Sequence, residues 1–130
     1  MADWRPEHFR AGGKLARRLF DTLKVGMADP PGVTRKAHGS GEKFAYDLMI
    51  REGKALGAEH AYDAAGNLFL RLPGRDRSKV IQIGSHLDSV PCGGNYDGAA
   101  GVIAGVATIA ERTNGLDPSP MPRSLRCQNR

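Results

Sequence analysis

Apolar positions in the first half of the chain predict two amphipathic helices. Over residues 7–25 they recur every fourth residue, with lysines and arginines between them, at Ala11, Leu15, Leu19 and Leu23. This spacing places them on one face of a helix. A loop over 27–40, broken by Pro30-Pro31-Gly32, comes next. A second helix is predicted over 41–57, ending at Gly57 and with one apolar face made of Phe44, Leu48 and Ala55.

The second half of the chain predicts three strands and one apolar helix. Residues 59–63 and 67–72 flank Ala64-Ala65-Gly66 as a hairpin. The apolar run in 79–85 is typical of a strand buried on both faces. A buried helix is predicted over 98–113, with its inward positions at Val102, Val106 and Ile109. The order of elements indicates an α/β or α+β layer structure.

The end of the chain carries neither pattern. Residues 118–122 hold three prolines, which cannot continue a helix. Residues 124–130 show no helical or strand periodicity. We therefore expect no regular element after residue 113.

Composition narrows the class of protein without identifying it. The chain has 130 residues, 40% hydrophobic and 25% charged, which fits one globular domain. The net charge is +5, but the lysines and arginines, for example Arg35-Lys36, are scattered among acidic residues. We therefore expect a solvated charged surface and no nucleic-acid partner. Two cysteines are too few for a disulfide scaffold. Without a signal-peptide pattern or an apolar run of spanning length, we expect no membrane partner and a cytoplasmic location.

Chemistry is concentrated between the predicted strand at 79–85 and the helix at 98–113. His86 and Asp88 are two residues apart, so on an extended chain both side chains project to the same face. A carboxylate beside an imidazole fixes its tautomer and raises its basicity, as for metal-bound histidines. Asp97 precedes the helix, and its two oxygens are enough to hold two ions.

Each of these residues also has a purely structural interpretation. Asp97 is placed where a helix N-cap would be. Asp88 is placed to cap the turn before Pro91, and the paired glycines Gly93 and Gly94 suit a tight turn. The combination of strand, His-x-Asp, Gly-Gly loop, Asp-Gly and buried helix is nevertheless specific.

The run from Gly84 to Val102 resembles the metal-binding signature of the aminoacylase and carboxypeptidase-G-like metallopeptidase superfamily. More narrowly, it is similar to the branch of N-carbamoyl-L-amino-acid hydrolases, allantoate amidohydrolases and β-ureidopropionases. Supporting features are Gly32-Val33-Thr34-Arg35, the 63–72 hairpin and Leu72-Pro73-Gly74-Arg75, and the similarity runs from about residue 7 to about residue 122. The resemblance implies an α/β fold with a mixed sheet flanked by helices, forming part of a zinc-peptidase-like catalytic domain.

The resemblance also implies roles for the three candidate site residues. His86 would bind one metal ion, Asp97 would bridge both ions, and Asp88 would orient His86 as a catalytic residue. Such enzymes use two divalent ions, commonly zinc, with manganese, nickel or cobalt in some members. Their bridging water attacks an amide or ureido carbonyl. Cys92 stands where this branch commonly has Asn, and we do not expect it to be a ligand because the pattern already supplies the ligands.

The family pattern continues with features that are missing here. A Glu-Glu pair, two further histidine ligands and a lid and dimerisation domain come later in the family, and no Glu follows Glu111. We therefore expect residues 1–130 to be the N-terminal part of a catalytic domain, inactive alone, from a homodimeric hydrolase of small ureido or amide substrates. Two alternatives stay open. One is a peptidase or deacylase of the same superfamily, and the other is a non-catalytic remnant or a partner-dependent subunit.

Overall fold

The computed structural model describes residues 10–113 and 124–127. In chain order the elements are α1 (Arg10–Gly26), β1 (Ala28–Asp29), β2 (Gly32–Val33), α2 (Ser40–Ala55), β3 (Glu59–Tyr62), β4 (Leu68–Arg71), β5 (Gln82–Ser85), α3 (Ala99–Thr113) and β6 (Ser124–Cys127). The three predicted helices and the three predicted strands are all present. The predicted start of α1 at residues 7–9 and the prolines at 118–122 lie outside the described residues.

Four strands form one mixed sheet in the order β3-β4-β6-β5. The pairs β3–β4 and β4–β6 are antiparallel, whereas β5 and β6 run parallel. Helices α2 and α3 contact this sheet, and α1 packs against α3. The prediction of an α/β fold with a mixed sheet is therefore confirmed.

The β3–β4 hairpin forms where the sequence predicts it. Asp63 closes the turn, because its Oδ1 accepts the backbone N–H groups of Ala65 and Asn67, each at 2.9 Å. Gly66 has a φ of 82°, in the left-handed region that glycine adopts at no steric cost. The prediction of a hairpin turn at Ala64-Ala65-Gly66 is thus confirmed.

One core lies between the helices and one face of the sheet. It contains Leu15, Leu19 and Leu23 of α1 and the predicted inward residues of α3, together with Leu68 and Leu70 of β4. Ala11, also predicted to face inward, is only half-buried. On β4 the alternate residue Arg71 is exposed, as expected for a sheet covered on one face. Burying each such Leu or Val stabilises the fold by about 1.5–3 kcal/mol. The core therefore holds in place the sheet edge at which β5 ends.

Two details of the first half differ from the prediction. Residues 27–40 were expected to be a loop, but they contain the antiparallel pair β1–β2, joined through Pro30-Pro31. On α2, Leu48 is buried as predicted and Phe44 is half-buried, but Ala55 is exposed. The buried face also includes Ala45, Tyr46, Met49, Glu52 and Gly53. Ala55 is the last residue of α2.

The strand predicted at 79–85 is shorter and more open than expected. β5 begins only at Gln82, and Val80 and Ile81 are 60% and 49% exposed. A continuous apolar run is buried on both faces only if layers cover both. Among the described elements, β5 has β6 as its single strand neighbour and lies at the edge of the sheet.

The prediction of no regular element after residue 113 is wrong at 124–127. There β6 inserts between β4 and β5, pairing Leu70 with Leu125 on one side and Ile83 with Leu125 on the other. A strand held by backbone hydrogen bonds on both sides does not need a side-chain pattern of its own.

Candidate metal centre

His86 follows the last residue of β5 and is held by Asp88. Its Nδ1 lies 2.9 Å from Asp88 Oδ1 and 3.1 Å from the Asp88 carbonyl oxygen. Both acceptors favour a proton on Nδ1, so the tautomer they select leaves the lone pair on Nε2. The structure therefore brings together the first two candidate residues in the arrangement that the His-x-Asp spacing predicted.

The other ring nitrogen of His86 faces Asp97. The distance from Nε2 to Asp97 Oδ1 is 3.8 Å, which is too long for a hydrogen bond. The His86 side chain is 18% exposed, while that of Asp97 is 41% exposed. An imidazole nitrogen and a carboxylate thus face each other without being bonded, on the solvent side of the pair formed by His86 and Asp88.

The structure shows neither the helix N-cap considered for Asp97 nor the turn cap considered for Asp88. α3 begins at Ala99, whose N–H is hydrogen bonded to the backbone carbonyl of Asp97 at 2.6 Å. The Asp97 carboxylate caps no N–H of α3 within the described part of the chain, and the Asp88 carboxylate contacts His86 and not the turn before Pro91. Both carboxylates are therefore directed at the imidazole.

Gly98 permits the close approach of the two segments. Its φ is 62°, and a Cβ added there would collide with Nδ1, Cε1 and the carbonyl oxygen of His86. Any side chain at this position would displace the imidazole or the start of α3. The Asp-Gly pair before the helix was the available sequence signal, but it did not reveal that the glycine contacts His86.

Arg35 is the site residue that sequence reasoning missed. The sequence placed it among scattered surface charges, whereas the structure buries it completely. Its Nε donates to the Leu87 carbonyl at 2.7 Å and its Nη2 donates to the Asp97 carbonyl at 2.9 Å. Burial lowers the pKa of the guanidinium below its ordinary value, and Asp97 and Asp88 act in the opposite direction. Arg35 still stays protonated at neutral pH, since an arginine pKa begins so high.

Cys92 lies in the loop between His86 and Asp97. It has a φ of 52°, its thiol is exposed, and its backbone N–H donates to Thr34 Oγ1 at 2.9 Å. Partial desolvation and the neighbouring Asp29 raise the pKa of the thiol. The Cys92 thiol is therefore mostly protonated at neutral pH.

Within residues 10–113 and 124–127, no group of three or more His, Cys, Asp and Glu side chains is arranged to hold one ion. Asp88 approaches the opposite ring nitrogen from Asp97, which is why the three candidate residues do not form such a group. In this same part of the chain, no helix has the length and apolarity needed to cross a membrane.

Comparisons with known proteins identify relatives of the chain among amidohydrolases. No protein-family profile matches the chain. The chain is 40% identical over 99 residues to an N-carbamoyl-L-amino acid amidohydrolase of Geobacillus stearothermophilus, covering 75% of this chain and 24% of the relative. It is 37% identical over 89 residues to an allantoate amidohydrolase of Bacillus subtilis, covering 68% and 22%.

A solved structure gives the same result for the fold. A hydantoinase/carbamoylase family amidase from Burkholderia ambifaria superposes with a TM-score of 0.75 and 33% identity, over 89% of this chain and 28% of that one. The chain spans about a quarter of the length of the relatives that it matches. By sequence and by fold, the chain is a homologue of part of the amidohydrolases that include the N-carbamoyl-L-amino-acid and allantoate enzymes.

Proposed function

We propose that this chain supplies one side of a two-metal centre in a hydrolase of linear amide or ureido C–N bonds. The substrates would be small molecules such as N-carbamoyl amino acids or allantoate. The observation that carries the proposal is the position of His86, with Nδ1 held by Asp88 and Nε2 facing the Asp97 carboxylate at 3.8 Å. The names of the relatives support the bond class.

The residues present fit a metal ion chemically. An imidazole nitrogen and carboxylate oxygens are ligands for zinc and for several other divalent ions. In this assignment His86 and Asp97 are the metal ligands, and Asp88 keeps the His86 tautomer correct. When bound, the ions would acidify a water and polarise the scissile carbonyl.

Several finer features are part of the proposal, and most of them rest on the resemblance. We assign residues 1–130 to the N-terminal part of the catalytic domain and not to a lid or dimerisation domain, because the site lies at the end of a sheet strand. Zinc is the first candidate metal, before manganese, nickel and cobalt. Homodimerisation and a cytoplasmic location stay predictions. Two donors cannot hold two ions, so further ligands and a general base have to come from other residues.

A chimaera tests the function directly. The 99 aligned residues of the Geobacillus stearothermophilus enzyme would be replaced by those of this chain, which are 40% identical. With zinc, manganese or cobalt, we expect the chimaera to release free amino acid from N-carbamoyl-L-amino acids or to hydrolyse allantoate. The unmodified 130-residue chain should show no turnover, because it offers two described ligands.

Variants of the chimaera decide whether the assigned residues are responsible. His86→Ala and Asp97→Asn should abolish turnover, whereas His60→Ala, on the exposed strand β3, should leave it unchanged. A folded chimaera that stays active with His86→Ala would refute the ligand assignment. A chimaera that cleaves dipeptides or N-acetyl amino acids but no ureido substrate would favour the peptidase or deacylase alternative.

A further inference from the structure

Arg35 lies two residues after the end of β2, outside the two segments that carry the assigned ligands, yet its side chain is fully buried. Taking a guanidinium out of water is costly unless its donors find acceptors. The acceptors that compensate this cost belong to the metal centre. Burial of Arg35 is therefore coupled to the geometry of the site.

The contacts of Arg35 join two segments that are far apart in sequence. Nε donates to the carbonyl of Leu87, and Nη2 donates to the carbonyl of Asp97. The Arg35 backbone N–H donates to Ser89 Oγ at 3.0 Å, and its carbonyl accepts the Ser89 N–H at 2.8 Å. One residue thus holds both the segment that follows His86 and the residue that begins the turn into α3.

The acceptors are backbone carbonyls and not carboxylates. Among the described residues, no Asp or Glu oxygen lies within ion-pair distance of the Arg35 guanidinium, and Nη1 has no hydrogen-bond partner. A direct ion pair would compete with a cation for Asp97. Bonding to the Asp97 backbone fixes the position of that residue and leaves its carboxylate available.

We propose that Arg35 is a positioning residue of the metal centre, which sets the separation between His86 Nε2 and the Asp97 carboxylate before an ion binds. Ligands held in place in advance need less reorganisation on binding. This inference rests on the proposed function, because it takes His86 and Asp97 as ligands. Loss of a supporting contact around a metal site typically weakens metal binding about 10–100-fold.

Cobalt titration of the purified chimaera, in which the Geobacillus stearothermophilus enzyme supplies the remaining ligands, tests the proposal. The visible absorption of bound Co²⁺ reports both affinity and ligand geometry. We expect Arg35→Met to weaken Co²⁺ binding by about 10–100-fold and to shift the absorption bands. Arg35→Lys keeps the charge but cannot reach both carbonyls, so it should restore affinity only in part. Arg18→Met is the matched control, since Arg18 pairs with Glu52 between α1 and α2, and it should keep the wild-type spectrum.

His86→Ala separates failure of the inference from failure of the function. If the chimaera without further substitution binds no Co²⁺, or His86→Ala binds it equally well, the ligand assignment fails and the positioning role fails with it. If His86→Ala abolishes binding while folded Arg35→Met keeps the wild-type affinity and bands, only the positioning role is overturned. If Arg35→Met does not fold, Arg35→Lys decides by the same criterion. Loss of folding in both would also overturn the proposal, because Arg35 would then be needed for folding itself.

Discussion

Replacing Gly98 with alanine should damage both the stability and the metal centre. The residue has a φ of 62°, and an added Cβ would collide with the His86 ring and carbonyl. The left-handed conformation costs a residue with a Cβ about 1–2 kcal/mol, and forcing a methyl group into packed atoms costs about 1–3 kcal/mol. Together these terms lower the free energy of unfolding by about 2–5 kcal/mol, a large part of the ~5–15 kcal/mol of a typical domain.

Gly94→Ala is the matched control in the same loop. A Cβ there meets nothing within 4 Å, and its φ is outside the positive range, so its effect should stay within about 0.5 kcal/mol. Urea denaturation followed by circular dichroism measures both differences, and cobalt absorption measures the site. The reasoning is refuted if Gly98→Ala unfolds at the same urea concentration as Gly94→Ala and binds Co²⁺ equally well.

Three further predictions concern single side chains. Asp88→Asn keeps the shape of the residue but removes the charge that holds the His86 tautomer, and cobalt titration should show about 10–100-fold weaker binding. Hydrogen bonds from Arg18 lower the pKa of Glu52. The pair of Arg18 and Glu52 therefore stabilises the fold fully above the ordinary carboxyl pKa, and this stabilisation is lost as the pH falls through the lowered pKa. Glu52→Gln should flatten the acid limb of a stability–pH curve, and an unchanged limb would contradict this assignment. Because desolvation and Asp29 raise the pKa of Cys92, alkylation with iodoacetamide should be slow at pH 7. Mass spectrometry should show faster alkylation of Cys92 in Asp29→Asn. Equal alkylation rates in the two proteins would exclude an effect of Asp29 on the thiol pKa.

Sequence patterns predicted that the three candidate residues lie together, but they did not reveal the residues that support them. His86, Asp88 and Asp97 occupy one stretch of 12 residues between a strand and a helix, so local spacing was enough to place them together. Arg35 is 52 residues from Leu87 and 62 from Asp97, and although Gly32-Val33-Thr34-Arg35 supported the resemblance, no local pattern indicated that the side chain is buried beside the site. Such a role depends on tertiary contacts, which no periodicity encodes.

The same distinction explains the errors in the fold. The apolar run containing Val80 and Ile81 has the composition of a buried strand, but burial depends on which layers lie beside it, and the described helices cover one face of the sheet. Residues 124–127 lack a pattern but form β6, because β4 and β5 present unpaired backbone groups on either side. In both places the neighbours decide the outcome, and they are distant in sequence.

The geometry of the site follows from contacts that do not use its donor atoms. Gly98 lets the start of α3 approach the His86 ring, and Arg35 holds the Asp97 backbone. Backbone packing, and not a bond between the two groups, therefore sets the distance of 3.8 Å between His86 Nε2 and Asp97 Oδ1. If His86 and Asp97 held each other directly, a cation would have to break that bond before binding. Positioning through Gly98 and Arg35 avoids this competition, so the two groups can be close together and still available as ligands.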